Sequence, residues 1–246
     1  MKERGAMNKV ALVTGAGIRL GKAIAIQLAR QGYDLALHYR GSQQPAQDTL
    51  QQVEALGRRG ALFQADLSQA DQVQPMCEAV LKHFSRVDAL INSAAIFYPT
   101  PSLQESVQHW DEFLNLNLKA PLLTALHLEN TLRQHQGCIV NIVDIYAQRP
   151  LARHLPYCVS KGGLWTLTQS LALQLAPEVR VNAVSPGAAL PPAGAPLEAA
   201  QQLAVPIPLQ RIGSAEDIAE AVGYLVSAPF VTGQMLCVDG GRTLKM

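Results

Sequence analysis

The stretch Val10-Ala-Leu-Val-Thr-Gly-Ala-Gly-Ile-Arg-Leu-Gly21 decides the fold. Its first four residues are apolar and continuous, as in a strand buried on both faces. Gly15 and Gly17 then permit a tight turn and let backbone amides approach a bound group closely. From Leu20 to Gln31 the apolar residues recur at helical spacing, and Gly21 permits close packing of helix on strand. Strand, glycine turn and helix in this order form the anion-binding half of a dinucleotide site, with the helix N-terminus adding a favourable dipole.

The same alternation runs along the chain. Strands are expected at Lys9–Thr14, Asp34–Tyr39, Gly60–Gln64, Val87–Asn92, Gly137–Val143, Val179–Ser185 and Gln234–Val238. Between them, helical spacing covers Leu20–Gln31, Ala46–Leu56, Ala70–Phe84, Val107–Gln134, Pro156–Leu175 and Ala215–Ser227. Ser68 with Asp71, and Ser214 with Asp217, read as capping boxes. The pattern predicts one α/β domain over residues 1–246: a Rossmann fold, doubly wound, with a parallel sheet of about seven strands and helices on both faces. Residues 1–6 read as a loose tail, with Met7 an alternative start, and the proline-rich 187–208 as a substrate lid.

Composition narrows the function classes. With 48% apolar and 16% charged residues the chain is expected to be globular, and a net charge of +1 gives no sign of a nucleic-acid or membrane surface. The opening residues to Lys9 are polar and do not read as a signal peptide. Cys77, Cys138, Cys158 and Cys237 are scattered, so reduced thiols in the cytoplasm are expected. The six histidines show no ligand spacing, and no metal site is expected.

The end of the second strand selects the cofactor. An NAD site places an acid there to bind the ribose hydroxyls. Here the run is Leu37-His-Tyr-Arg-Gly-Ser42, and Asp34 stands too early to reach. Arg40, with Arg19 from the glycine turn and Ser42, would instead cradle a 2′-phosphate through charge-assisted hydrogen bonds, which favours NADPH.

A second constellation lies at Asp144, Tyr157 and Lys161. Positions 157 and 161 share one helix face, so phenol and ammonium would sit side by side. A free tyrosine titrates near pKa ~10, and an adjacent cation is expected to lower that value. Asp144 adds a carboxylate, which accepts hydrogen bonds where a hydroxyl would donate. A plain turn-capping role for Asp144 stays open at this point.

Taken together, these motifs resemble the short-chain dehydrogenase/reductase family over nearly the whole chain. Its Tyr-x-x-x-Lys is matched by Tyr157 and Lys161, and its adenine-contacting Asp by Asp66, followed by Leu67. Asn92-Ser-Ala-Ala95 loosely matches the run after the fourth strand, and Asn117 matches the Asn that orders a proton-relay water. Pro186-Gly187 and Asp239-Gly-Gly241 complete the order. The resemblance implies a catalytic set of Asp144, Tyr157, Lys161 and Asn117. It implies cofactor contacts from Gly15, Gly17, Arg19, Leu20 and Gly21, and from His38, Tyr39, Arg40 and Ser42. Further contacts are implied from Asp66, Leu67, Asn92, Ala94, Pro186 and Gly187, together with Tyr157 and Lys161.

Two departures are similar to the pteridine reductase branch. Arg19 stands where most members have Gly, and Asp144 where most have Ser. Phe97-Tyr-Pro-Thr-Pro101 and His38-Tyr-Arg40 also resemble that branch, in which the aromatic at Phe97 stacks on the pterin. Ala95 replaces a frequent serine. The branch implies NADPH-dependent reduction of a dihydropterin or folate, with Phe97, Ala95, Asp144 and Tyr157 at the substrate and a homotetrameric assembly. A ketone or 3-oxoacyl reductase, and a non-catalytic NADP-binding sensor, are the alternatives.

Overall fold

Strands β1 (Val10–Val13), β2 (Asp34–Tyr39), β4 (Ala89–Asn92) and β5 (Cys138–Ile142) are buried at every residue, as runs interrupted only by Asp34, His38, Asn92 and Asn141 require when helices cover both faces. The computed structural model describes residues 8–187 and 207–245; the tail at 1–6 and nearly all of the lid at 187–208 lie outside them. With β3 (Gly60–Gln64), β6 (Arg180–Pro186) and β7 (Met235–Val238) they form a seven-stranded parallel sheet in the order β3-β2-β1-β4-β5-β6-β7. The edge strands β3 and β7 are only partly covered.

One face of the sheet carries α1 (Arg19–Arg30), α2 (Gln43–Ala55) and α8 (Ala215–Ser227). There Ile24, Leu28, Val53, Ile218 and Val222 pack on Val13, Leu35, Ile91 and Val140. The other face carries α3 (Ala70–Phe84), α6 (Ala120–Gln134) and α7 (Leu155–Gln174). Val80, Leu128 and Leu171 meet Leu12, Leu90, Ile139 and Val181 on that side. Each fully buried side chain of this size contributes about 1.5–3 kcal/mol relative to exposure.

Sheet order reverses between β1 and β4, so the crevice that binds ligands in such folds opens at the carboxyl ends of these strands. Asp34 sits opposite Val10 at the other end of the sheet. Its carboxylate accepts from Arg59 N and Nε at 3.0 and 3.1 Å.

Two expectations are corrected. The helix expected over Val107–Gln134 is broken into α4 (Leu103–Gln108), α5 (Trp110–Leu114), a π turn (Asn115–Lys119) and α6. Pro121 has no N–H for the Asn117 carbonyl, and the preceding Ala120 N–H reaches back five residues to Asn115 O. Ser68 is not a cap: α3 starts after Gln69 without a side-chain cap, and the Ser68 hydroxyl donates to Asp66 Oδ1 at 2.7 Å. Ser214 and Asp217 do form the expected capping box on α8.

Candidate active site

The glycine turn is shaped for close approach. Gly15 has φ +69°, a Cβ on Gly17 would stand 2.9 Å from Ser42 Oγ, and a Cβ on Gly21 would stand 2.1 Å from Gly15 O. Side chains at these positions would fill the cradle that a phosphate group needs. Arg19, with φ +51°, and Arg40 are both exposed beside this turn, and Ser42 is half-buried.

His38 supports the cradle from beneath. Its Nδ1 accepts from Gly15 N at 3.1 Å and its Nε2 faces Ala65 O at 3.0 Å, which fixes the neutral Nε2–H tautomer. His38 O also accepts from Ala16 N. The ring is 2% exposed, and burial holds its pKa down to about 4. His38 therefore shapes the glycine turn, and both nitrogens of its ring are spent within the chain. Its neighbour Tyr39 is buried as well.

Thr14 has a similar part that the motif reading missed. Its hydroxyl accepts from Ser93 N and Ala94 N at 2.9 and 3.0 Å, bolting the end of β1 to the loop after β4. The Asn92 amide is spent on Asn141 Oδ1 and Thr124 Oγ1, so its side chain locks β4 to β5 and α6. A Cβ on Gly15 would stand 3.1 Å from Ala94 Cα, and Ala95 is exposed. Asp66 is half-buried and binds Ser68 N and Oγ, while Leu67 is buried. Leu20 packs on the core from α1. Pro186 and Gly187 follow β6, where Gly187 closes on Asp239.

The second constellation, Asp144, Tyr157 and Lys161, assembles as spaced in sequence. Asp144 leaves β5 in an extended conformation and caps a 3-10 turn (Ile145–Ala147), its Oδ1 accepting from Tyr146 N at 2.9 Å. The other oxygen, Oδ2, accepts from Tyr157 Oη at 2.7 Å. Asp144 thus caps the turn and joins the site at once. Lys161, 3% exposed, donates from Nζ to Ile142 O at 2.8 Å and lies 5.9 Å from the centre of the Tyr157 ring.

Electrostatics reverse one expectation. Burial, then the Asp144 charge, pushes the Tyr157 phenol well above its usual range, where a neighbouring Lys was expected to lower it. Burial also raises Asp144, against the Tyr146 N–H, the Tyr157 hydroxyl and the charges of Lys161 and Arg242. Lys161 is lowered to about 8 by burial, with Asp144 opposing. The arrangement is a half-buried carboxylate that holds the protonated phenol, with the buried Lys161 ammonium on the same helix face as that phenol.

Asn117 is fully buried in the π turn, and its side chain is committed. Oδ1 accepts from Ile96 N at 3.0 Å, and Nδ2 donates to Ile96 O and Ser160 Oγ at 3.1 Å each. Any water held by this residue would meet its backbone carbonyl, which Pro121 deprives of the ordinary helical donor. The amide instead fixes the loop that presents Phe97. That ring is 54% exposed, stacks on His154 at 4.8 Å and 12°, and meets the Tyr157 ring edge-on at 4.7 Å. Among the described residues, no group of three or more His, Cys, Asp or Glu could hold a metal, and no helix is long and apolar enough to cross a membrane.

Comparison with known proteins gives a consistent frame. Residues 15–243 match the family described as enoyl-(acyl carrier protein) reductase. The chain is 35% identical over 241 residues to the 3-oxoacyl-[acyl-carrier-protein] reductase FabG of Staphylococcus epidermidis, covering 96% of this chain and 99% of that protein. Acetoin dehydrogenase from Enterobacter cloacae superposes with a TM-score of 0.91 at 33% identity, covering 98% of each chain. A blue fluorescent protein from a metagenomic library, solved in complex with NADPH, superposes at 0.88 with 32% identity, covering 95% of this chain and 97% of that one.

Proposed function

The chain belongs to the short-chain dehydrogenase/reductase family, whose members are oxidoreductases that bind a nicotinamide cofactor, and from that premise we propose that it is an NADPH-dependent reductase of a dihydropterin. The hydrogen bond from Tyr157 Oη to Asp144 Oδ2 carries this reading. A ketone reductase needs a second donor to the substrate oxygen, and an ionised carboxylate supplies none. A pterin presents ring and exocyclic N–H groups that such a carboxylate can accept. The exposed Phe97 ring beside Tyr157 offers a flat heterocycle a stacking surface.

When bound, the reduced nicotinamide supplies hydride to an electrophilic ring carbon. The residues of the chain manage the proton. Tyr157 Oη, protonated at neutral pH, faces the site as the acid; Asp144 orients that proton and can return one through water; the Lys161 ammonium balances the charge left behind. Arg19 and Arg40, exposed beside the glycine turn with no acid at the end of β2, support NADPH over NADH. Exposed Leu126 on α6 and Leu173 on α7 support assembly through these helices, as in a homotetramer.

The names of the relatives favour a second reading, reduction of a 3-oxoacyl thioester. NADPH oxidation measured side by side with dihydrobiopterin, dihydrofolate and acetoacetyl thioester separates the two. Turnover of the pterin is expected; turnover of the thioester alone would overturn the proposal in favour of the second reading. Binding of NADPH without turnover of any of the three would mark a sensor.

A further inference from the structure

A charge reaches the site from the far end of the chain. Asp239 closes the C-terminal turn: Oδ1 accepts from Gly241 N at 2.8 Å, and Oδ2 accepts from Thr243 N and Oγ1 at 2.8 and 2.7 Å. The turn rests on the loop after β6, where a Cβ at Gly187 would stand 2.6 Å from Asp239 Cβ. From this support Arg242 extends over Tyr146, its guanidinium carbon 5.9 Å from the ring centre. Tyr146 N is the donor that holds Asp144 Oδ1.

We propose that Arg242 is a positioning residue of the reductase site: packed on Tyr146, it holds the turn that aims the Asp144 carboxylate at Tyr157 and sets a positive charge beside that turn. The inference rests on the proposed function only in taking Asp144 as a member of the site. Among the described residues, the titratable groups that act on Asp144 are Tyr146 on its own turn, Tyr157, Cys158 and Lys161 on α7, and Arg242 from the C-terminal turn. Lys161 and Arg242 are the two bases in this set, and Lys161 is already committed to Ile142 O. The Arg242 charge also pulls the half-buried Tyr146 phenol down against the effect of burial. The guanidinium lies 5.9 Å from the centre of the Tyr146 ring, so a role by packing on that ring and a role by charge on the adjoining Asp144 separate on substitution.

The test is a carbon-13 NMR titration of the aspartate carboxyls in the full chain, with the Asp144 signal assigned by its loss in Asp144→Asn. Arg242→Gln is expected to raise the Asp144 midpoint by about half a pH unit or more, and Arg242→Lys to leave it near the parental value. Arg242→Met keeps the aliphatic stem over Tyr146 and gives the same reading where the Gln variant does not fold. The same upward move is expected in the pH profile of kcat/KM with whichever substrate turns over. A midpoint unmoved by loss of the charge, with only thermal stability lowered, would overturn the assignment. That outcome is independent of substrate, whereas absence of pterin turnover counts against the substrate reading alone.

Discussion

Tyr157 Oη donates to Asp144 Oδ2 across 2.7 Å, with the phenol buried and the carboxylate half-buried. The contact keeps the phenol protonated and aimed, because removing its proton would leave two anions in contact. Lys161 stabilises the carboxylate more than it acidifies the phenol.

Replacing Tyr157 by Phe keeps the ring contacts with Phe97 and Phe113 and removes the acid. Reductase kcat is expected to fall by about 10²–10⁴-fold while NADPH still binds. Steady-state kinetics and a fluorescence titration with NADPH check both halves.

Phe97 is exposed and is held in place through Ile96 by Asn117. Phe97→Ala should raise KM for dihydropterin by about 3- to 10-fold, the worth of one aromatic stack, and leave KM for NADPH unchanged. An equal rise in both constants would mean that the loop, and not the ring, had been lost.

Arg40→Glu places an acid at the end of β2. It is expected to weaken NADPH by about 10- to 100-fold and to improve NADH, as loss of a charge-assisted contact requires. Initial rates with the two cofactors at fixed substrate give the ratio.

How much of this was legible in the sequence depended on the range of the interaction. The glycine turn, the two-faced strands and the i, i+4 pair of Tyr157 and Lys161 depend on neighbours in the chain, and they formed as spaced. The π turn also had a local signal, Pro121 four residues after Asn117, which helical periodicity alone overrode. Ser68 donates its hydroxyl to Asp66 instead of accepting from the first turn of α3. His38 and Asn92 looked like cofactor ligands by motif, yet their polar atoms are spent on partners brought near only by folding. Arg242 carried no signal beyond following Asp239-Gly-Gly241, because its contact with Tyr146 exists only once β6 and β7 pair.

His38 gives a pH dependence with a definite sign. Its pKa falls from 6.5 to about 4 on folding, so its contribution is fully present above pH 6.5 and is lost as the pH falls through 4. The loss amounts to about 3 kcal/mol. Urea unfolding from pH 7 to pH 4 should show this slope, and His38→Gln should flatten it by about one proton.

Asp144→Ser tests the central claim, that the carboxylate at this position selects a nitrogen heterocycle. NADPH oxidation is measured for the parental and variant proteins with dihydrobiopterin and with acetoacetyl thioester. Pterin turnover is expected to fall by about 100-fold or more while thioester turnover is gained or unchanged. Pterin turnover retained at the parental rate in Asp144→Ser would contradict the claim.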